Sequence, residues 1–345
     1  MAKDPNKASD EELEFDNEGF LLSDDVRTGF ITGATFADKA VEYAAVDDLA
    51  VFEGDIILGT VDEMERSAAL ATAVEAGEIA FGVAITGSQY RWPNALMPYE
   101  VDPGLPNKGR VTYAINEWKT KVGVNFVERT AANKSQYLNY VRVFKGNGCY
   151  SSVGMRGGKQ DLSLADGCGN GAAIHEFGHA WGAWHEQSRE DRNSFVTINW
   201  ANIKNSKSHN FNQHISDGDD IGSYEYGSIM HYGKYAFSKN GLPTIVPTQA
   251  GANIGQRNGL SAGDIAAVRS LYRVMRYNLT VTMTYATPHA KNASVAFGGV
   301  GWRKIDPAAK DGVTNILAMC AMAKVKNRKV HALIDGQKIY KAYLV

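Results

Sequence analysis

The sequence has little cysteine: three residues in 345, Cys149, Cys168 and Cys320. An odd count leaves at least one thiol outside any intrachain pair, and so few exclude a disulfide-dense scaffold. It also lacks long apolar runs. No segment approaches the roughly 20 apolar residues of a membrane-spanning helix. The start, MAKDPNKASDEELEFDNEGF, has no apolar stretch of the kind a signal peptide carries. Neither sign of charge is in excess. Lys and Arg number 36 against 38 Asp and Glu, a formal net charge of −2, which offers no general case for nucleic-acid or membrane binding. With 44% hydrophobic and 21% charged residues the chain reads as globular and soluble. Its length allows two or three domains.

What is present concentrates in one stretch, His175 to Glu186, HEFGHAWGAWHE. On a helix, His175 and His179 lie four residues apart and share a face, about 40° apart around the axis. Two imidazoles on consecutive turns can reach one ion. Glu176 follows the first and is placed to take a proton from water beside that ion. Gly182 and His185 come next at intervals of three. A third ligand cannot lie on the same helical face at that distance, so the chain must turn, and Gly182 can take the positive φ that ends the helix. Three neutral imidazoles leave an open coordination position, as catalytic zinc sites do. Further on comes SIMHY, Ser228 to Tyr232; by itself Met230 reads as an ordinary core methionine, and taken with the histidine string it resembles the Met-turn of metzincins, an apolar floor to the metal.

HEFGHAWGAWHE followed by SIMHY resembles the astacin family of zinc metalloendopeptidases, which are metzincins. The resemblance spans about 90–272 and includes CYSSVG at 149–154, DRNSFVTINW at 191–200 and IGQRNGLSAGDIAAVRSLY at 254–272. It implies an α+β fold with a two-lobed catalytic domain, one zinc ion, and the hydrolysis of peptide bonds in proteins. Tyr232 is implied as a donor to the transition state or a further zinc ligand. Glu186 is implied as the partner of a buried new N-terminus. Cys149 and Cys168 are implied to be disulfide-bonded, closing a loop of about 20 residues worth roughly 3 kcal/mol in the chain-entropy model. The family's other disulfide is missing, with Gly123 and Arg276 standing near its positions, and Cys320 is expected as a buried free thiol. CYSSVG, with Tyr150 and Ser151, is implied to be the edge strand that pairs an extended substrate.

Upstream, Phe52-Glu53-Gly54-Asp55 resembles the F-x-G-D motif of astacin pro-segments, which implies that Asp55 binds the zinc in a latent proenzyme. A carboxylate is a fitting oxygen ligand for that ion. Activation would then cut near Val83 or Ala84, and no Arg or Lys sits just before that bond, where the sequence reads GEIAFG. Arg257, in IGQR, resembles an arginine lining the pocket for the residue after the cut, where a guanidinium fork would favour Asp or Glu.

The expected organisation is a propeptide over 1–83, a catalytic domain over 84–275 and a β-rich extension over 276–345. Residues 1–25 are polar and acidic and read as a flexible tail. Helices are expected over 61–76, over 107–122 with Val111, Ala114, Ile115 and Trp118 inward, and from Ser261 to about Met275 behind a Ser261/Asp264 capping box. Strands are expected over 124–127, 140–144 and 162–164, and in the alternating C-terminal runs around Asp335-Gly336. His209 and His214 read as solvated, and Asp217 to Asp220 as a solvated turn. Expected partners are protein or peptide substrates and an activating protease, with no nucleic acid and no membrane span, for a monomer that the resemblance places in secreted or periplasmic space. The competing reading is a zinc-stapled binding protein of weak catalysis whose role lies in the C-terminal segment. An intact Glu176 and Tyr232 weigh against it, because a staple needs neither.

Overall fold

The computed structural model describes residues 7–31, 39–66, 68, 90–213, 220–272, 274–287, 292–307, 312–335 and 338–345. The expected cleavage region at Val83 and Ala84, His214, Asp217 and Gly336 lie outside them, as do residues 67 and 69–76 of the expected 61–76 helix, whose residues 61–66 are helical.

One sheet carries the upstream segment and the catalytic lobe together. The upstream strands are β1 (Val26–Ile31), β2 (Lys39–Val46), β3 (Leu49–Phe52) and β4 (Ile56–Thr60). The catalytic lobe adds β5 (Leu96–Val101), β6 (Asn125–Glu128), β7 (Tyr140–Phe144), β8 (Cys149–Ser151) and β9 (Lys159–Leu164). Their order is β1-β2-β3-β4-β8-β9-β7-β5-β6. β1 to β4 form an antiparallel meander, whereas β9, β7, β5 and β6 run parallel. β8 is antiparallel to β9 and meets β4 through a single parallel pair, Ile56 opposite Ser151.

Parallel strands bury both faces. One face here is covered by α2 (Gly109–Lys121), whose Val111, Ala114, Ile115 and Trp118 are buried at helical spacing. The Trp118 indole donates to the Ile174 carbonyl at 3.0 Å and so ties α2 to α3 (Asn170–Ala180). Buried Arg110 donates to the carbonyls of Leu164, Ala165 and Cys168, at 3.0, 2.6 and 2.6 Å, which satisfies the loop that leads into α3. Cys149 and Cys168 are disulfide-bonded across the same region, and Cys320 is free and buried.

A short two-stranded ladder of β10 (Val196–Ile198) and β11 (Ile245–Pro247) organises the lower part, before α4 (Ala262–Leu271). α4 begins at the expected capping box, with Ser261 Oγ accepting from the Asp264 N–H at 3.1 Å and Asp264 Oδ2 from the Ser261 N–H at 2.9 Å. It ends at Leu271 rather than running to Met275. Val274 and Met275 pair with Ile334 and Leu333 instead, a distant partner that a local pattern does not announce.

Residues 7–25 are not a loose tail. α1 (Asp10–Asn17) starts at a Ser9/Glu12 capping box and docks against the 233–241 loop. Asp16 Oδ2 accepts from the Tyr235 N–H at 2.6 Å, Asn17 Oδ1 from the Phe237 N–H at 2.7 Å, and the Ala8 N–H donates to the Gly241 carbonyl at 2.8 Å. Acidic composition predicts solvation, and partners more than 200 residues away override it.

The C-terminal part is a closed barrel of β12 (Val274–Ala286), β13 (Ala293–Phe297), β14 (Gly301–Ile305), β15 (Lys329–Ile334) and β16 (Lys338–Leu344), in the order β12-β13-β14-β16-β15. An unforeseen helix, α5 (Gly312–Val325), connects β14 to β15 and shares the barrel's apolar core through Val313, Ile316, Cys320 and Ala323. No helix among the described residues is long and apolar enough to cross a membrane.

Candidate active site

α3 presents His175 and His179 on one buried face and stops just past Ala180. Gly182 takes φ 102°, its N–H reaching the His179 carbonyl at 2.7 Å and the Ala183 N–H reaching the Gly178 carbonyl at 3.0 Å. A side chain would strain that conformation. The turn sends the chain back, and extended His185 returns its ring to the first two.

Each histidine has its Nδ1 engaged. His175 Nδ1 lies 2.8 Å from the Ile229 carbonyl, His179 Nδ1 2.8 Å from the Ala183 carbonyl, and His185 Nδ1 2.7 Å from Glu53 Oε2. Those acceptors fix the proton on Nδ1 and leave the Nε2 lone pairs facing inward. The Nε2 atoms of His175 and His179 are 3.1 Å apart, and those of His175 and His185 3.3 Å. Lone pairs at that separation are not hydrogen bonds to one another. They match the edge of a tetrahedron about a zinc ion, about 3.3 Å for Zn–N bonds of about 2.05 Å.

Asp55 supplies the fourth group. Its Oδ2 is 3.3 Å from His175 Nε2, and its Oδ1 is 3.2 Å from His185 Nε2 and 3.7 Å from His179 Nε2. All four ligand atoms fall within 4.8 Å of one another. Oδ1 is buried with no hydrogen-bond partner. A buried carboxylate oxygen without a donor, facing three imidazole lone pairs, fits a cation. Burial, and secondarily the nearby Arg257 charge, holds His175 down to about 4, and burial keeps His179 well below its usual value, so both are neutral ligands at neutral pH. Burial would lower His185 too, but Asp55 and Glu53 lift it to about 9, the sign of a site that calls for positive charge.

Glu176 sits beside this cluster, buried, with Oε2 unpartnered. Burial first, and then the Asp55 charge, raises its carboxyl well above the ordinary range, which favours proton uptake. Beneath the rings, Met230 packs so closely on α3 that a Cβ on Gly178 would stand 2.7 Å from its sulfur. Asp264 holds the turn in place, accepting from the Ser228 hydroxyl at 2.6 Å and the Ile229 N–H at 2.9 Å. Tyr232 is fully buried against His185, ring centroids 4.7 Å apart, and its hydroxyl donates to the Glu53 carbonyl at 2.5 Å.

Tyr150 and Ser151 lie on β8, whose outer edge is taken by the upstream segment. The Ser151 N–H donates to the Asp55 carbonyl at 3.0 Å and the Cys149 N–H to the Gly19 carbonyl at 3.0 Å. Arg257 is half-buried. Its guanidinium donates to the Ile229, His231 and Gln256 carbonyls at 2.9, 3.2 and 3.0 Å, behind the Met230 turn. Its charge reaches the Asp16 carboxyl, which is nonetheless raised by burial. Burial also raises Glu186, to about 7, while it accepts from the Glu225 N–H at 2.8 Å.

His209, expected in solvent, is buried, and burial lowers its pKa. Two contributors escape sequence reasoning. Glu53 occupies the variable position of the upstream motif, yet its side chain braces His185 and accepts from the Ser188 hydroxyl at 2.5 Å. Phe20 packs beside the site, stacked on Phe237 at 4.7 Å and tilted against Tyr232 at 5.3 Å. The one available signal was an aromatic residue ending an acidic stretch.

Residues 84–273 match the family model described as Astacin, a peptidase family. The chain is similar to zinc metalloproteinase nas-13 of Caenorhabditis elegans, 38% identical over 220 residues, which cover 61% of this chain and 48% of that protein. It is also similar to human meprin A subunit beta, 41% identical over 196 residues, 54% of this chain and 27% of that protein. Among solved structures, the hatching-enzyme zinc-protease high choriolytic enzyme 1 of Oryzias latipes aligns with a TM-score of 0.49 at 35% identity, over 55% of this chain and 97% of that one. The chain thus spans about half the length, or less, of these two curated relatives.

Proposed function

This chain belongs to the astacin family of peptidases, and from that premise we propose that it is a latent zinc-dependent endopeptidase, held inactive by its own residues 1–83 and released by their proteolytic removal. The observation that carries the reading is the convergence of three imidazole Nε2 atoms on the Asp55 carboxylate, brought from the upstream segment.

His175, His179 and His185 are the residues that would hold the zinc. When bound, zinc supplies the Lewis acidity that polarises a peptide carbonyl and makes water a nucleophile near neutral pH. Glu176 takes the proton from the attacking water and hands it to the departing amine nitrogen. Its raised affinity for a proton suits both halves of that shuttle. Tyr232, freed from the Glu53 carbonyl, turns its hydroxyl toward the developing oxyanion. β8, freed from Asp55 and Gly19, offers the N–H groups of Cys149 and Ser151 to an extended peptide. Arg257 gives the pocket for the residue after the cut a preference for Asp or Glu, a reading supported by the Asp16 carboxyl already lying within its field. Glu186, which lies 3.7 Å from Arg189, receives the new N-terminal amine after the cut near Val83 or Ala84.

Substrates are proteins or peptides, the chain acts as a secreted or periplasmic monomer, and a second protease activates it. Casein zymography of the full chain and of the chain lacking residues 1–83, with and without a chelator, tests this. Only the shortened, metal-replete form should clear casein. Equal clearing by the full chain refutes latency, and clearing that survives chelation refutes the metal.

A further inference from the structure

The charge balance of the chain hides an asymmetry. Residues 274–345 hold 11 Lys and Arg against 3 Asp and Glu, leaving 25 against 35 for everything before them. The barrel they form joins β12 to β13 to β14, passes through α5, and closes with β16 parallel to β14 and β15 against β12. This is the connectivity of the OB barrel, which uses the outer face of its second and third strands for oligonucleotides and oligosaccharides. Connectivity alone assigns nothing. The residues on that face do.

Register places Met283 opposite Ala296 and Ala296 opposite Trp302. One row along, Tyr285 is opposite Ser294 and Ser294 opposite Lys304. The small residues of β13 make a floor, with Met283 and Tyr285 along one side and Trp302 and Lys304 along the other. Three of the four walls are apolar and still in water: Met283 is 50% exposed, Tyr285 55% and Trp302 46%. The Tyr285 and Trp302 rings meet edge to face, centroids 6.5 Å apart at 83°, so their positions are set before any ligand arrives. None of β12, β13 and β14 contains an acidic residue. Lys304 pairs in register with Lys338 of the neighbouring strand. Lys338 itself stands 3.6 Å from Asp306, so Lys304 is the charge on which the face relies.

Preformed aromatic surface beside an ammonium group, with no carboxylate on the three strands, suits an extended polymer that offers flat faces and regular negative charge. Acidic polysaccharides and single-stranded nucleic acids share that chemistry. The Cys149–Cys168 disulfide separates them, because disulfides persist where thiols are oxidised, outside the cytosol, where the abundant polyanions are acidic sugars.

We propose that the outer face of β12, β13 and β14 is a binding site for an acidic polysaccharide chain, with Trp302 and Tyr285 stacking on sugar rings and Lys304 pairing with a carboxylate or sulfate. The site stands apart from the catalytic centre and tethers the protein to a polyanionic matrix.

The test is titration calorimetry of the full chain with three probes of similar length: a decamer of galacturonate, a neutral malto-oligosaccharide and a dT decamer. The galacturonate decamer should bind, more weakly as salt rises. Trp302→Ala and Tyr285→Ala should each weaken it by about three- to tenfold, the scale of one lost aromatic contact. Lys304→Gln should weaken it and flatten the salt dependence, while Trp302→Phe keeps most of the affinity. All these positions lie on the outside of the barrel, and circular dichroism of each variant checks that it folds. Absence of galacturonate binding at millimolar concentration overturns the proposal. So does binding indifferent to Trp302→Ala and Tyr285→Ala, equal binding of the neutral probe, or tighter binding of the dT decamer.

Discussion

Glu53 Oε2 lies 2.7 Å from His185 Nδ1, and two residues further on Asp55 Oδ1 lies 3.2 Å from the Nε2 of the same ring. One turn of upstream chain therefore grips both nitrogens of a candidate metal ligand. Glu53 at φ 49° and Gly54 at φ 79° put both carboxylates on a tight turn between β3 and β4, where Gly54 takes the left-handed backbone at no steric cost. Removal of the upstream segment would change the ligand set and the basicity of His185 in one event.

Asp55→Ala in the full chain deletes the proposed fourth ligand but leaves Phe20 and the β4 pairing in place. Peptidase activity of the uncleaved chain should rise by at least about tenfold, a change of ~1.4 kcal/mol. It should stay below that of the processed enzyme. A fluorogenic peptide assay under conditions that exclude self-cleavage measures it, and an unchanged background would remove Asp55 from the inhibitory role.

Glu176→Gln keeps the three imidazoles and removes the proton acceptor. Zinc content by atomic absorption should match the parent, and the processed enzyme should lose about 10² to 10⁴ in kcat. Full activity, or loss of the metal, would contradict the assignment of Glu176 as the base.

Glu53→Gln separates two states. A carboxylate behind a metal-bound histidine is worth about 10- to 100-fold in affinity. Zinc release to a chelator should therefore speed up in the full chain and remain unchanged after processing, because Glu53 has then departed. An equal effect in both forms would show that Glu53 does not act through His185 in the latent chain.

Docking of α1 should depend on pH through Asp16. Burial raises its carboxyl above the ordinary value of about 3.9. A group with a raised folded pKa contributes stability that is fully present below the unfolded pKa and is lost as pH rises through the folded one. Hydrogen-exchange protection of residues 8–21, corrected for intrinsic rates, should fall over that window in the parent. Asp16→Asn should flatten the profile. A parent profile without slope, or a variant that keeps it, would disprove the linkage.

Arg257→Ala should erase the preference for Asp or Glu after the scissile bond in a peptide-library profile of the processed enzyme. Because the guanidinium also ties down three carbonyls near Met230, the variant should lose some thermal stability, about 1 to 3 kcal/mol. An acidic preference that survives would assign it to another residue.

The histidine string is legible because its logic is local. Spacing of four on a helix, a glycine at the turn and a third ring three residues later are all set by backbone geometry within a dozen positions. The capping box at Ser261 and the inward face of α2 are legible for the same reason. α1 reads as a solvated tail because nothing in DEELEFDN names Tyr235 and Phe237 as its partners. The barrel closure escapes the pattern because strand alternation marks a face without naming the strand beside it, and α5 lies between strands whose pairing is set at a distance.

From residue order alone follow the identity of the candidate metal ligands and the candidate base beside them, while the upstream aspartate joined them only through the resemblance of Phe52-Glu53-Gly54-Asp55 to a pro-segment motif. Folding decided what those residues meet: the 120 positions that separate Asp55 from His175 close to 3.3 Å only because β4 joins the catalytic sheet at Ser151. Covalent spacing prescribes contacts within a helix turn, and beyond that the sum of buried area, backbone pairing and satisfied polar groups selects which distant segments touch.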